Sequence, residues 1–302
     1  MWQNLLKDIQ SGNTKSLARA ITLIENEISG YELFMQMMAY DTSARIIGIT
    51  GPPGVGKSTL TDALIGALLA TERKVAVLCV DPSSPFHNGA LLGDRIRMSQ
   101  WYTHKNVFIR SLATRGHMGG LHPKTYEITD VLKAAGFTDI IIETVGVGQN
   151  EIDIATIAAT TIVVLAPEIG DSIQYMKAGL MEIAHVFVVN KSDMPGAEQC
   201  INNLQQMLRQ LMHNNVWEVP IIATVATQNK GIEAMLQAIE THTALTLKPE
   251  YNVVMLANKA YSLLQEKCMK RFNYSALKAM LVTEMLKPEF NLYKWINELD
   301  MS

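Results

Sequence analysis

The sequence predicts an α/β protein with a doubly wound, mostly parallel sheet that helices cover on both faces. From residue 45 onward, short runs rich in Ile and Val alternate with longer helical stretches, which is the pattern of such a sheet. The runs are nearly continuous in apolar residues, as expected for strands buried on both faces. The predicted strands lie at 45–50, 74–80, 107–110, 139–143, 161–165, 185–189 and 220–224.

Helical segments are predicted on either side of this α/β region. Before it, Leu17, Ile21 and Ile24 recur at helical spacing. After it the strand pattern stops, and residues rich in Leu, Met, Lys and Glu predict two or three amphipathic helices. The expected divisions are an N-terminal helical segment at 1–44, the α/β domain at 45–247 and a C-terminal helical arm at 248–302.

Composition limits the class of protein. The chain has 302 residues, of which 48% are hydrophobic, and this is ample for a buried core. Its net charge of −3 gives no broad basic field, so neither nucleic acid nor a membrane is expected as a partner. Cys79, Cys200 and Cys268 form no C-x-x-C pair, which fits a reducing compartment. The charged N-terminus and the lack of a long apolar run predict a cytoplasmic protein.

A complete phosphate-binding motif follows the first predicted strand. It has the form G-x-x-x-x-G-K-S, and a helix-like segment follows it directly, so the chain is a predicted P-loop NTPase. The glycines allow backbone N–H groups to surround a polyphosphate, Lys57 supplies a cation, and the Ser58 hydroxyl can ligate Mg²⁺. The residues expected to bind the nucleotide phosphates are Gly51, Pro52, Pro53, Gly54, Val55, Gly56, Lys57, Ser58 and Thr59.

A second motif favours guanine over adenine, so GTP and GDP are the expected cofactors. Asn190, Lys191 and Asp193 form N-K-x-D directly after a predicted strand, at the edge where parallel sheets present ligand loops. The Asp193 carboxylate offers two acceptors to the N1–H and N2–H₂ donors of guanine, and adenine has no such pair of donors. Backbone contact with the guanine carbonyl oxygen is expected from Thr224, Val225 and Ala226.

Carboxylates at strand ends predict a magnesium site beside the phosphates. Glu143 ends one buried strand, and Gly146 follows it closely enough for its N–H to contact a γ-phosphate. Asp81 ends another strand, and Asp94 lies in the loop after it. Together with the Ser58 hydroxyl, these three carboxylates are the expected Mg²⁺ ligands. The residues expected to act in catalysis are Lys57, Asp94 and Glu143.

Glycine-rich polar stretches at 83–93, 114–120 and 145–151 have the composition of loops that order around a nucleotide. Gln149 is a candidate for positioning the attacking water, although the sequence shows no clear catalytic base. A P-loop GTPase without a settled water-positioning group is typically slow until a partner acts on it. Slow hydrolysis of GTP is therefore expected.

These motifs, with several shorter ones, resemble a known family. Glu143 stands where most GTPases carry Asp, which is typical of the group of P-loop GTPases named for a glutamate in this motif. Over essentially residues 14–245 the chain closely resembles the MeaB/ArgK family. The segments that carry the resemblance are 51–59, 80–86, 92–95, 113–121, 143–149, 170–171 and 190–193.

The resemblance implies a function and partners. The family consists of G-protein chaperones for an adenosylcobalamin-dependent acyl-CoA mutase, typically methylmalonyl-CoA mutase. They gate cofactor loading and protect the mutase from inactivation. The resemblance also implies a homodimer with the C-terminal helices as the dimerisation arm. By position, Asp171 and Lys177 fall in the third switch, and they are expected, with Gln149, to act in switching and in signalling to the mutase.

Three other functions stay open on the sequence. Proteins of this family were once described as kinases of a lysine/arginine/ornithine transport system, but Asp193 disfavours ATP. Metallochaperone GTPases also carry a glutamate in this switch, and they usually have a His-rich or Cys-x-Cys-Cys tract, which this sequence lacks. A protein-targeting GTPase of the signal-recognition type would be expected to have Asp at the position of Glu143.

Overall fold

The computed structural model describes most of the chain. The described residues are 1–39, 44–81, 98–115, 120–146, 153–167, 179–211, 217–246, 249–269, 272, 274–287 and 289–299. The chain divides into two compact units, Met1–Met255 and Leu256–Ser302. Within the described ranges, no helix combines the length and the apolar character needed to cross a bilayer.

The first unit is built on one parallel sheet, as the sequence predicts. Its described strands are β1 (Arg45–Thr50), β2 (Val75–Asp81), β3 (Val107–Ala113), β4 (Asp139–Glu143), β5 (Thr160–Leu165), β6 (Val186–Val189) and β7 (Ile221–Ala223). The order across the sheet is β3-β2-β4-β1-β5-β6-β7, and every neighbouring pair is parallel. The chain passes to one side of β1 for β2 to β4 and to the other for β5 to β7. The topological switch point, where such sheets bind ligands, therefore lies at the carboxyl end of β1.

The third strand is longer than the sequence indicates. It was expected at 107–110 and continues to Ala113, because it pairs with β2 along its whole length. Asp81 at the end of β2 is in register with Ala113. The additional residues bring the end of β3 to the same edge of the sheet as the end of β2.

Helices cover both faces of the sheet. The described helices of the first unit are α1 (Trp2–Gln10), α2 (Thr14–Glu25), α3 (Tyr31–Gln36), α4 (Lys57–Leu69), α5 (Thr125–Ala134), α6 (Ile154–Ile157), α7 (Met181–Ile183), α8 (Ala197–Leu211) and α9 (Ile232–Thr246). Successive strand residues enter two separate cores, because strand side chains alternate between faces. Ile46 packs in one core with Ile21 of α2 and Ile128 of α5. Ile47 packs in the other with Leu64 of α4.

Polar contacts hold α2 to the edge strand β3. Arg110 of β3 forms an ion pair with Glu25, the last residue of α2. Just after β3, Arg115 Nη2 donates a hydrogen bond to Asn26 Oδ1 at 2.9 Å. Both arginines thus bind the carboxyl end of α2, where cations are favoured by the helix dipole. The N-terminal helices are therefore fixed beside the carboxyl edge of the sheet.

The C-terminal helices are α10 (Pro249–Met269), α11 (Tyr274–Glu284) and α12 (Leu292–Glu298). Helix α10 begins in the first unit and continues into the second. Neither α11 nor α12 has a buried residue within the described part of the chain. The large apolar side chains that are exposed on these helices and their connections include Tyr261, Leu264, Met269, Tyr274, Val282, Met285, Leu286 and Tyr293.

Candidate nucleotide-binding site

The phosphate loop lies at the carboxyl end of β1 and leads directly into α4. Because α4 begins at Lys57, its amino-terminal turn follows the loop directly, and the amino end of a helix favours anions. Gly51 has a φ of 141°, and a Cβ at this position would lie 2.1 Å from the backbone oxygen of Val164 on β5. Only glycine allows the loop to approach the neighbouring strand so closely. The predicted phosphate-binding residues, 51–59, all lie in this loop and the first turn of α4.

The Lys57 ammonium group lies inside the loop. Nζ donates to the backbone oxygen of Gly51 at 2.9 Å and to that of Pro52 at 3.1 Å, and the side chain is buried. A fixed cation beside backbone N–H donors is the arrangement that stabilises β- and γ-phosphates. The position of Lys57 is therefore suited to the predicted role.

Glu143 ends β4 and accepts hydrogen bonds from two hydroxyl groups of α4. Ser58 Oγ donates to Oε1 at 2.7 Å, and Thr61 Oγ1 donates to Oε2 at 3.0 Å. All three side chains are buried. Thr61 is absent from the residues predicted from the sequence, although its spacing of three from Ser58 places both on one face of a helix. This spacing is the feature of the sequence that could have identified Thr61.

Asp81 and Glu143 lie at the same edge of the sheet. Asp81 is buried at the end of β2, and β2 pairs with β4 so that Cys79 is in register with Glu143. The hydroxyl and carboxylate oxygens of Ser58, Asp81 and Glu143 are hard ligands of the kind that Mg²⁺ prefers, so these residues fit that ion. When bound, Mg²⁺ would neutralise charge on the β- and γ-phosphate oxygens. Asp94, the other predicted ligand, lies outside the described residues.

Gly146 lies against the phosphate loop. Its φ is 84°, and a Cβ there would meet Lys57 Nζ at 2.2 Å and the Gly51 backbone oxygen at 2.8 Å. Just before it, Thr144 Oγ1 donates to Thr50 Oγ1 at 3.0 Å, which joins the ends of β4 and β1. The backbone at Gly146 is thus next to the cation that would hold a phosphate. The predicted switch residues that lie outside the described ranges are Gln149, Asp171 and Lys177.

Asn190 joins three loops on the base-recognition side. Its Nδ2 donates to the backbone oxygen of Val55 in the phosphate loop at 2.9 Å. Its Oδ1 accepts from Thr224 Oγ1 and from the Ala226 N–H, each at 3.1 Å. Because the amide is buried and satisfied on both sides, it sets the spacing between the phosphate loop and the two loops that would enclose a base.

Asp193 lies beside these loops with an exposed side chain. Lys191 adopts a left-handed φ of 56°, which turns the chain after Asn190. The Ser192 N–H then donates to the Thr224 backbone oxygen at 3.0 Å. The Asp193 carboxylate is therefore held on a short, anchored turn and is open to a ligand.

The loop after β7 has its backbone donors engaged within the protein. The Thr224 N–H donates to the Val189 oxygen at 2.9 Å, and the Val225 N–H donates to the Lys230 oxygen at 3.1 Å. The Ala226 N–H donates to the Asn190 amide, as described above. A backbone contact with the guanine carbonyl oxygen would have to share one of these donors. That contact stays a prediction.

Comparison with known proteins shows the family to which this chain belongs. Residues 17–273 match the family model described as methylmalonyl Co-A mutase-associated GTPase MeaB. The chain belongs to the MeaB family. This confirms the resemblance inferred from the motifs, and it makes the chain a P-loop GTPase for which guanine nucleotide is the expected ligand.

Several relatives of the MeaB-family chain are named as GTPases. A Pyrococcus abyssi protein named in this way is 45% identical over 246 residues, covering 80% of this chain and 76% of its own. The GTPase ArgK of Escherichia coli is 34% identical over 253 residues, covering 80% of this chain and 76% of its own. The fused isobutyryl-CoA mutase of Geobacillus kaustophilus is 36% identical over 237 residues, which cover 74% of this chain and 22% of the mutase.

Solved structures confirm the fold of this MeaB-family chain. A crystal structure of a LAO/AO transport system kinase has a TM-score of 0.70 at 25% identity, covering 88% of this chain and 83% of the other. Nickel-bound HypB of Helicobacter pylori has a TM-score of 0.50 at 20% identity, covering 75% of this chain and 96% of the other. The second likeness is one of fold alone. The predicted doubly wound parallel sheet with a P-loop is therefore correct.

Proposed function

We propose that the chain is a GTP-binding and slowly GTP-hydrolysing chaperone that gates adenosylcobalamin loading of an acyl-CoA mutase and protects that mutase. The observation that carries this proposal is the fused isobutyryl-CoA mutase, in which a segment similar to this chain is part of the same polypeptide as a mutase. Covalent linkage holds two modules at high effective concentration, which favours modules that act on each other. The family description names a second mutase, methylmalonyl-CoA mutase, which is the client we expect.

GTP and Mg²⁺ are the cofactors in this proposal. Lys57 would hold the phosphates, and the buried Ser58 hydroxyl with the Asp81 and Glu143 carboxylates would hold the ion. We assign Asp94 to the same ion and to hydrolysis on sequence alone. Together with Lys57 and Glu143 it forms the proposed catalytic set. The exposed Asp193 carboxylate would read guanine.

Signalling to the mutase is assigned to Gly146 and to the three predicted switch residues. We propose that Gly146 responds to a γ-phosphate, which is supported by the closeness of its backbone to Lys57. We propose that Gln149, Asp171 and Lys177 pass that response to the client, on the ground of their positions in the family motifs.

We further propose that residues 248–302 form a dimerisation arm and that the protein works as a homodimer. The second unit supports this, since its helices expose many large apolar side chains. Residues 1–44 and 45–247 are the proposed helical segment and GTPase domain. A cytoplasmic location is proposed because no disulfide bond joins Cys79, Cys200 and Cys268, as in reducing compartments.

One rival function has an observation in its favour. The structure with a TM-score of 0.70 is described as a transport system kinase, which would use ATP. Asp193 argues for guanine, because adenine would leave its carboxylate without the paired donors. A metallochaperone GTPase is the other alternative, but this sequence lacks the His-rich or Cys-x-Cys-Cys tract that such proteins usually carry.

The deciding experiment measures hydrolysis of GTP and of ATP by the purified full chain, alone and with an adenosylcobalamin-dependent acyl-CoA mutase. The expected result is GTP-selective turnover that is slow alone and faster with the mutase. A rate of GTP hydrolysis that the mutase does not change would contradict the chaperone assignment, while the assignment as a GTPase would stand. ATP-selective turnover would overturn the base assignment and support the kinase.

A further inference from the structure

Thr61 is placed by the fold on the opposite side of the Glu143 carboxylate from Ser58. Its hydroxyl donates to Oε2 at 3.0 Å, while Ser58 donates to Oε1 at 2.7 Å. Thr61 is fully buried, and the carboxylate it contacts is also buried. Each oxygen of Glu143 therefore has its own hydroxyl donor from the same helix.

The hydrogen bond made by Thr61 is unusual for a threonine in a helix. A helical threonine commonly returns its hydroxyl to a backbone oxygen one turn earlier. Thr22 does so with Ala18 at 3.0 Å, and Thr243 does so with Ile239 at 2.7 Å. Thr61 instead donates across to a strand residue that is 82 positions away in the chain. The contact therefore joins α4 to β4, and it is not part of the capping of α4.

This contact has a consequence for Ser58. A carboxylate held at only one oxygen can rotate about its last side-chain bond, which is a broad and soft torsion. Hydrogen bonds to both oxygens fix its plane. With Oε1 fixed, the Ser58 proton is directed to Glu143, so the lone pairs of Ser58 Oγ face away from that carboxylate. A hydroxyl oriented in this way is prepared to ligate a cation.

We propose that Thr61 is a positioning residue of the magnesium site, acting through Glu143 on Ser58. The inference rests on the proposed GTP- and Mg²⁺-binding function of the same site. Outer residues that orient metal ligands typically contribute about 10- to 100-fold in metal affinity. Loss of the Thr61 hydroxyl should therefore weaken the effect of Mg²⁺ on nucleotide binding and leave the metal-free binding of nucleotide intact.

The test compares the affinity of the full chain for a fluorescent GDP in EDTA and at saturating Mg²⁺. The ratio of the two affinities measures the coupling between Mg²⁺ and nucleotide. For Thr61→Val, which keeps the shape and removes the hydroxyl, we expect this ratio to fall about 10-fold while the affinity in EDTA is unchanged. Thr61→Ser should restore most of the ratio. If valine prevents folding, Thr61→Ala removes the same hydroxyl without an added methyl group.

Thr129→Val is the matched control. Thr129 is buried in α5, and its hydroxyl donates to the Tyr126 backbone oxygen at 2.8 Å, so its loss should lower stability without changing the ratio. An unchanged ratio in Thr61→Val, or an equal fall in Thr129→Val, would overturn the inference about Thr61. A wild-type chain that binds no GDP in either buffer would instead contradict the proposed function.

Discussion

Asn190 Nδ2 donates a hydrogen bond to the backbone oxygen of Val55 at 2.9 Å, which joins the guanine-recognition motif to the phosphate loop. The same amide accepts the Ala226 N–H at 3.1 Å. Removing the Asn190 amide would leave the Val55 oxygen and the Ala226 N–H without this hydrogen-bond partner. The two halves of the nucleotide site thus depend on one side chain.

Asn190→Ala should destabilise the fold and weaken nucleotide binding together. We expect the free energy of unfolding to fall by roughly 2–4 kcal/mol, because buried polar groups lose their partner. GDP affinity should fall at least about 10-fold, since the loops lose their fixed spacing. Urea unfolding and GDP titration measure the two effects. Asn202→Ala, on the exposed side of α8, is the control, and similar values for both variants would contradict this role.

Gly146→Ala should abolish most GTP hydrolysis. The added Cβ would meet Lys57 Nζ at 2.2 Å and the Gly51 oxygen at 2.8 Å, so the cation and the loop would have to move. Gly136→Ala is a matched control, since Gly136 has a φ of 80° but no atom within 4 Å of the added Cβ. Both should lose about 1–2 kcal/mol of stability from the left-handed backbone. A fall in hydrolysis of at least about 10-fold is expected only at Gly146. Equal activities in the two variants would disprove the close contact.

Asp193→Asn should weaken GTP binding and favour xanthine nucleotides. The amide presents a donor where guanine also presents one, whereas xanthine offers an acceptor there. Loss of a hydrogen bond to a charged group corresponds to roughly 10- to 100-fold in affinity. Competition of GDP and of XDP with a fluorescent nucleotide for the site gives the ratio of their affinities. Glu198→Gln neutralises another exposed carboxylate nearby in sequence and should leave the preference for GDP unchanged. Unaltered GTP affinity in Asp193→Asn would remove Asp193 from base recognition.

Acid should destabilise the protein through two stacked histidines at the amino edge of the sheet. The rings of His185 and His242 lie with centroids 4.1 Å apart, and the Thr161 N–H donates to His185 Nδ1 at 3.0 Å. Burial lowers the pKa of His185 to about 4. Burial, and then repulsion from His185, lower the pKa of His242 to about 4. Both rings are therefore neutral in the folded protein near pH 7.

The direction of this pH effect follows from the difference between the histidine pKa values of the folded and the unfolded chain. In the unfolded chain both histidines bind protons near their ordinary pKa of 6.5, so stability is full above that pH. It should fall as the pH drops from 6.5 toward 4, by up to about 1.4 kcal/mol per pH unit for each ring. His242→Gln should make this fall shallower. Urea unfolding across this range measures the slopes, and identical slopes in wild type and His242→Gln would refute the assignment.

Charge placed on the apolar C-terminal helices should separate the proposed homodimer. Val282 lies on α11, Leu286 lies just after its end, and both are exposed, so aspartate at both would put buried charges into a dimer interface that includes them. The dissociation constant of the dimer should rise at least about 10-fold by analytical ultracentrifugation. Lys278→Glu changes the charge of α11 at an exposed polar position and should have little effect. A wild-type chain that is monomeric at micromolar concentration would contradict the proposal.

The sequence alone is enough to predict the elements whose causes are local. The phosphate loop could be predicted because its glycines, its lysine and the start of α4 are neighbours in the chain. The strands could be predicted because burial on both faces requires nearly continuous apolar residues. Their ends were less certain, as with β3, because its length depends on pairing with β2. The family followed from short motifs of this same local kind.

The contacts between these motifs depend on the three-dimensional packing of the chain. Thr61 and Glu143 are 82 residues apart, and Val55 and Asn190 are 135 apart, so no local pattern joins either pair. Their hydrogen bonds exist because parallel strands bring their carboxyl ends to one edge of the sheet. Residue type and spacing can therefore name the groups that a nucleotide site needs. Which hydroxyl holds which carboxylate oxygen is set by the packing of α4 against β4, and that packing depends on the whole sheet.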